Sequence, residues 1–230
     1  MFKLLILVMS VAFSSGTSAE IFEAWDFSAI EGDVQKNIAL FDSAKEIQEK
    51  LGAHVEYWQH DVDGENLVSY VIRFKDLASW AKWKDEMLSN EDWQNWSAKT
   101  WPKARPHLVA SYAMSNLFNP EADVDLTKGL NVIYMSAWEA SDDSDNMKLF
   151  ASIQKSVEIS NNFGITTQVY VNGPSGIFYI FNMGESFVDL TSKFEKRNAS
   201  QAWQQYWSNA QIERAGQFVR QLWATRITNE

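Results

Sequence analysis

The chain has 230 residues, a formal net charge of −10 and no cysteine. The acidity disfavours a nucleic-acid backbone or an anionic membrane surface as partner. Without cysteine there are no disulfides, so stability must come from burial, for which a chain of this size and its 11 tryptophans are well supplied.

Met1-Phe2-Lys3 is a short positive start, and Leu4–Phe13 is an apolar run too short to span a bilayer as a helix. Ser14–Ala19 is small and polar, with Thr17 and Ala19 placed as in an A-x-A-like cleavage site. This predicts a signal peptide over 1–19, removed before Glu20, and a secreted or periplasmic product with no membrane segment after cleavage.

Ile21–Phe27 reads as a strand. Val34–Leu51 reads as an amphipathic helix, with Val34, Ile38, Phe41, Ala44, Ile47 and Leu51 at helical spacing and Gly52 placed to cap it. His54–His60 and Leu67–Phe74 are strands joined by the turn Asp61-Val62-Asp63-Gly64. Asp76 can cap a second helix running to about Leu88. Ser89-Asn90-Glu91-Asp92 resembles a capping box that restarts a helix carrying Trp93 and Trp96. Pro102 and Pro106 end it, and His107–Met114 is the last strand. Residues 119–129, from Asn119-Pro120 to Gly129, are rich in turn formers and read as a linker. The order then recurs: strand Val132–Trp138, helix Asn146–Phe163, strands Thr166–Asn172 and Ile177–Met183, helices within Ser186–Ala210, strand Gln217–Ile227.

The halves 20–118 and 130–230 thus repeat one βαββαβ order. Ala24-Trp25 aligns with Ala137-Trp138 at an offset of about 113. Ile38, Phe41, Ile47, Leu51 and Gly52 align with Phe150, Ile153, Ile159, Phe163 and Gly164 at about 112, and everything from Leu67 aligns at about 110. Such a unit makes a four-stranded antiparallel sheet with both helices on one face. Two units can close their bare faces against each other. The expected fold is α+β, two tandem ferredoxin-like units with sheets packed face to face as an intrachain dimeric barrel.

Phe74-Lys75-Asp76-Leu77-Ala78 followed by Asn90-Glu91-Asp92-Trp93-Gln94 resembles the second-helix signature of the dimeric α+β barrel superfamily, in its NIPSNAP-like and antibiotic-biosynthesis-monooxygenase-like branches. Ser200-Gln201-Ala202-Trp203-Gln204 is a looser second copy. The resemblance implies a barrel with a ligand-sized lumen, but no particular reaction, because one fold hosts many. Haem-degrading members use a His on the second helix, and chlorite-dismutase-like members a His in the haem-binding half. This chain has its three His at 54, 60 and 107, so the resemblance argues against haem, and no cofactor is expected. Cofactor-free monooxygenase-like members use Asn, Trp and Tyr around an aromatic substrate, for which Trp25, Trp58 and Tyr170 are loose stand-ins.

Strand alternation separates two faces. Val55, Tyr57, Val68, Tyr70, Ile72, Leu108, Ala110 and Tyr112 suit the helix side. Glu23, Trp25, His54, Glu56, Trp58, His60, Ser69, Arg73, His107 and Ser111 would then face the lumen. Their second-half counterparts are mostly uncharged, with Ser136 for Glu23, Thr166 for His54, Gln168 for Glu56, Asn172 for His60, Met183 for Arg73 and Gln217 for His107, while Trp25 keeps Trp138 and Trp58 becomes Tyr170.

His54, Glu56 and His60 are the candidate acid–base groups, or else solvated at the rim. A metal on the same three is awkward, because residues two apart on a strand lie roughly 6–7 Å apart. Trp25, Trp58, Trp138 and Tyr170 can line an aromatic pocket or simply pack between the sheets. Arg73 wants Glu23, Glu56 or an anionic ligand. His107 completes the candidate ligand-binding set. The leading expectation is a small, partly aromatic organic molecule bound in the lumen, with cofactor-independent oxygenation or isomerisation open, by a monomer or homodimer. The alternatives are a non-catalytic scaffold with a filled barrel and a metal-binding protein.

Overall fold

The computed structural model describes residues 20–61, 66–104, 107–116, 128–141, 146–172, 176–213 and 215–227. The expected signal peptide, the turn at 62–65 and most of the linker lie outside them. The first half runs β1 (Ile21–Ser28), α1 (Val34–Lys50), β2 (His54–His60), β3 (Leu67–Phe74), α2 (Leu77–Ser89), α3 (Glu91–Lys99), the short α4 (Trp101–Ala104) and β4 (Leu108–Asn116). The second runs β5 (Val132–Ala140), α5 (Asn146–Asn162), β6 (Thr166–Asn172), β7 (Ile177–Gly184), α6 (Phe187–Ala199), α7 (Gln201–Glu213) and β8 (Gly216–Arg226). Among the described residues no helix is long and apolar enough to cross a membrane.

Local chemistry sets these boundaries. Asp33, Asp76 and Asn90 are extended residues whose side chains accept from Gln35 N, Ser79 N and Trp93 N, satisfying first-turn donors of α1, α2 and α3. Ser186 does the same for α6. Gly52 and Gly164, with φ of 92° and 71°, turn the chain after the two long helices, where a side chain would be strained.

The strands form one closed antiparallel barrel in the order β1-β3-β2-β8-β5-β7-β6-β4. Each half contributes four neighbouring strands. The seams are short: β2 meets β8 at three residue pairs, Trp58 to His60, and β4 meets β6 at three, Met114 to Asn116. The two sheets do face each other, as expected, and they are also stitched edge to edge. That closure pairs part of each sheet's edge with the other sheet.

The helices pack outside the barrel and cover most of β1, β2, β3 and β7, while β4 and β8 keep exposed side chains such as Val109 and Phe218. In the first half Phe27, Phe41, Tyr57, Val68, Tyr70, Ile72, Phe74 and Trp83 form one aromatic layer under the helices. The lumen holds Phe22, Ala24, Trp58, Val71 and Met114 from the first half against Ile133, Met135, Ala137, Tyr170, Tyr179, Met183 and Ala224 from the second.

Strands β2 and β3 present the expected faces, and β1 and β4 present the opposite ones. Glu23 and Trp25 point to the helices, where Glu23 accepts from Trp80 Nε1 and pairs with Lys84, while Tyr112 packs in the lumen against Tyr179. The reason is that β1 is buried on both faces, so alternation exists without a polarity signal to fix its phase. The ladder also corrects the alignment of the halves. Ile21 pairs with Phe74 and Val132 with Gly184, which puts Trp25 opposite Ser136 in the repeat and Phe27 opposite Trp138. A register irregularity after Asp26 recurs after Ala137 and confirms this correspondence.

The Asp76 carboxyl is held below its ordinary pKa by the Ser79 hydrogen bonds. A group with a lowered folded pKa stabilises fully above its unfolded value, and that stabilisation disappears as pH falls through the folded one. Asp76→Ala should therefore cost about 1 kcal/mol near neutrality, and the gap to the parent protein should close in acid, measured by chemical denaturation across pH.

Candidate functional site

Arg73 lies at the centre of the lumen, 2% exposed. Its Nη1 donates to Glu20 Oε1 at 2.8 Å and to the Tyr170 hydroxyl at 2.8 Å, and its Nε to Glu56 Oε2 at 3.3 Å. Tyr170 in turn donates to Glu20 Oε2 at 2.9 Å and lies 2.7 Å from Gln168 Oε1. Glu56 also accepts from Trp58 Nε1, from Arg226 Nη2 at 2.8 Å, and contacts His54 Nε2 at 3.1 Å. Burial alone would depress the Arg73 pKa. Tyr170, Glu56 and Glu20 outweigh that and hold it well above its ordinary value. Burial, with Glu20, pushes Tyr170 up against the opposing pull of Arg73, so the hydroxyl keeps its proton.

Of the expected acid–base set, His54 and Glu56 meet at 3.1 Å and His60 stands apart. Glu56 has both oxygens committed to hydrogen bonds within the protein. His54 is the half-exposed neighbour at the end of that network. His60 belongs to a second network, where its Nε2 is 2.7 Å from Ser69 Oγ and Ser69 donates to Asp26 Oδ1 at 2.6 Å. Of the expected ligand-binding residues, Trp58, Arg73 and Tyr170 line the lumen and are buried in it. Trp25 and Trp138 lie in the helix layers, and His107 is exposed just before β4, its carbonyl accepting from Ser28 N. Arg73 finds Glu56, as expected, but Glu20 takes the place of Glu23. Among the described residues no group of three His, Cys, Asp or Glu can hold a metal. The lumen is filled by its own ions and rings, with Phe22 and Phe181 at 5.2 Å and 5.4 Å from the Tyr170 ring.

Open space lies elsewhere. Between the second sheet and α5, α6 and α7 is a cavity of about 600 Å³. Trp138 of β5 and Trp203 and Trp207 of α7 supply its aromatic walls. Its polar walls are Ser136, Ser152, Ser156, Ser160, Asn182, Arg197, Tyr134 and Tyr206, with Asn198 also at its border.

The repeat shows how it arose. In the first half, Trp25, Phe41 and Tyr70 occupy the same place and touch, with ring centroids 6.2 Å apart for Trp25–Tyr70 and 5.2 Å for Phe41–Tyr70. The Tyr70 hydroxyl is closed by Gln48 at 2.6 Å. Their counterparts are Ser136, Ile153, Ile180 and Ser160, all lining the cavity. Polarity enters with the lost volume, since Leu40, Ile72 and Met87 correspond to Ser152, Asn182 and Arg197. Asn182 is 5% exposed. It accepts from Thr167 Oγ1 through Oδ1, while its amide nitrogen donates to no partner among the described residues. Sequence reasoning had Trp138 from this site but aimed it at the lumen. The ring-for-small exchange between the halves was the readable signal for the rest.

No family model and no curated relative matches the sequence. Solved structures do match. A protein from Lactobacillus acidophilus named "putative monooxygenase" superposes with a TM-score of 0.60 at 11% identity, covering 91% of this chain and 95% of that one. An anthrone oxidase-like protein gives 0.54 at 8%, covering 91% and 92%. A chlorite dismutase from Candidatus Nitrospira defluvii gives 0.52 at 10%, covering 91% of each. The fold is that of the dimeric α+β barrels. The cavity of this barrel does not fit a histidine-ligated haem, since no histidine lines it.

Removing the Arg73 side chain leaves the buried Glu20 carboxylate without its cation, while Glu56 keeps Arg226. Arg73→Met should cost about 3–5 kcal/mol by urea denaturation.

Proposed function

We propose that the protein binds a small, partly aromatic organic molecule in the cavity between the second sheet and its helices. The carrying observation is that three rings of the first half, Trp25 and Phe41 each packed against Tyr70, are replaced there by Ser136, Ile153 and Ile180. At about 600 Å³ the space lies within the range of ligand sites. Three indole walls and hydroxyl and amide groups suit a ring-bearing ligand with polar substituents. The superposed structures add the precedent of a fold described for monooxygenase and anthrone oxidase-like proteins.

The same cavity supports a second reading, cofactor-independent oxygenation. Asn182, Trp138, Trp203, Tyr134 and Tyr206 assemble here the residue types that the resembling monooxygenases place around an aromatic substrate, better than Trp25, Trp58 and Tyr170 do. In such a step a CH₂ flanked by aromatic rings and O₂ give the carbonyl and water. Oxygen uptake with anthrone, giving anthraquinone, tests it, and no uptake above buffer leaves binding alone.

We also propose that the protein is exported and processed before Glu20. Glu20 is 1% exposed and bound to Arg73, so a cut beyond it would leave that guanidinium short of a partner. The intact mass of protein recovered outside the cytoplasm should correspond to a chain starting at Glu20.

Restoring first-half residues tests the binding site. Ile153→Phe with Ile180→Tyr should fill the cavity, keep or raise the melting temperature, and remove any small molecule seen by native mass spectrometry of the parent protein. Retention of that molecule by the folded double variant would overturn the assignment.

A further inference from the structure

We propose that Arg197 anchors a carboxylate, so that the ligand class is an aromatic organic acid rather than a neutral molecule; this rests on the cavity being a binding site. Arg197 sits near the end of α6, on the cavity wall. Its guanidinium carbon lies 3.8 Å from the Trp203 ring centroid and 4.6 Å from that of Phe194. Among the described residues its hydrogen bonds go to neutral groups. Nη1 donates to Ser160 Oγ at 3.1 Å, and Nε and Nη2 donate to Asn198 Oδ1 at 3.2 and 3.1 Å.

A guanidinium has five N–H donors. Three are used, which leaves one on each terminal nitrogen, the pair that a carboxylate takes side by side. Among the described residues no carboxylate pairs with Arg197, whereas Arg73 and Arg226 both reach Glu56. Burial pulls the Arg197 pKa down to about 10. The group is still a cation near neutrality, and it is one that an arriving anion would relieve. The charge also belongs to the open half alone, since its counterpart in the closed half is Met87. A ligand carboxylate at Arg197 would leave the ring between Trp203, Trp138 and Trp207, with the free amide nitrogen of Asn182 for a second polar substituent.

The test compares 2-naphthoate with its neutral analogue 2-naphthamide, titrated against the processed protein by calorimetry. The parent should bind the acid about tenfold more tightly than the amide. Arg197→Met, which copies the first-half residue, should weaken the acid alone and abolish the preference. Arg197→Lys should keep part of it. Equal affinities in the parent, or equal losses of both compounds in an Arg197→Met protein with unchanged circular dichroism, would overturn the anchor while leaving the cavity as a binding site. Failure of both compounds to bind the parent would remove the cavity reading as well.

Discussion

One fully buried guanidinium fixes what the rest of this barrel can do. Arg73 comes from β3, its carboxylates from the chain before β1 and from β2, and its phenol from β6 in the other half. An ion in that position is tolerable only with its partners assembled, so the network ties the two halves in one register. Trp58, Arg226 and Asn116 extend it, the last donating to Glu20 Oε2 at 3.2 Å. The centre of the barrel is thereby committed to structure. Around that compensated charge the lumen is packed by Phe22, Tyr170 and Phe181.

That commitment moves the open space outward, to the layer between sheet and helices, and there the two halves differ. The first half closes the layer with rings, Phe41 against Tyr57 at 5.9 Å and against Tyr70 at 5.2 Å. The second half keeps the backbone ladder and drops the rings. Val169 pairs with Ile180 as Tyr57 pairs with Tyr70. The strand pairing is the same and the side chains are shorter. Tryptophans 203 and 207 stay on the helix side, where they wall the space without filling it.

The repeat, the helices of both halves, and the first-half caps Gly52, Asp76 and Asn90 were legible in the sequence, because periodicity and capping are local signals. The tertiary phase of β1 was not. Ile21, Phe22, Glu23, Ala24 and Trp25 are covered on both faces, so alternation carried no information about which face met the helices. The alignment of Trp25 with Trp138 was two residues out, an error that preserves face but not depth. It hid the replacement of Trp25 by Ser136. The concentration of titratable groups on the expected lumen face of the first half, with Glu56, His60 and Arg73 among them, was read as asymmetry. Glu56, His60 and Arg73 proved to be part of the polar filling of the lumen, while the asymmetry that makes space lay in Phe41, Tyr70 and Met87 against Ile153, Ile180 and Arg197. Charged residues draw the eye in a sequence, and exchanges of ring for aliphatic do not.

The tandem arrangement explains why such an exchange can be sustained. In a homodimer of single units every substitution occurs twice, and replacing a buried ring by a small side chain costs about 3–5 kcal/mol at each site. Opening the layer would then remove the aromatic core from both subunits at once, against a total stability of only about 5–15 kcal/mol. A fused pair carries the cost in one half and keeps the other closed. Trp83, 2% exposed and tilted against Phe74 at 5.0 Å, has Lys193 as its counterpart, which pairs with Asp189 one turn away on the same helix. The first unit has kept the dense core, and the second has been free to trade packing for a polar, indole-walled cavity.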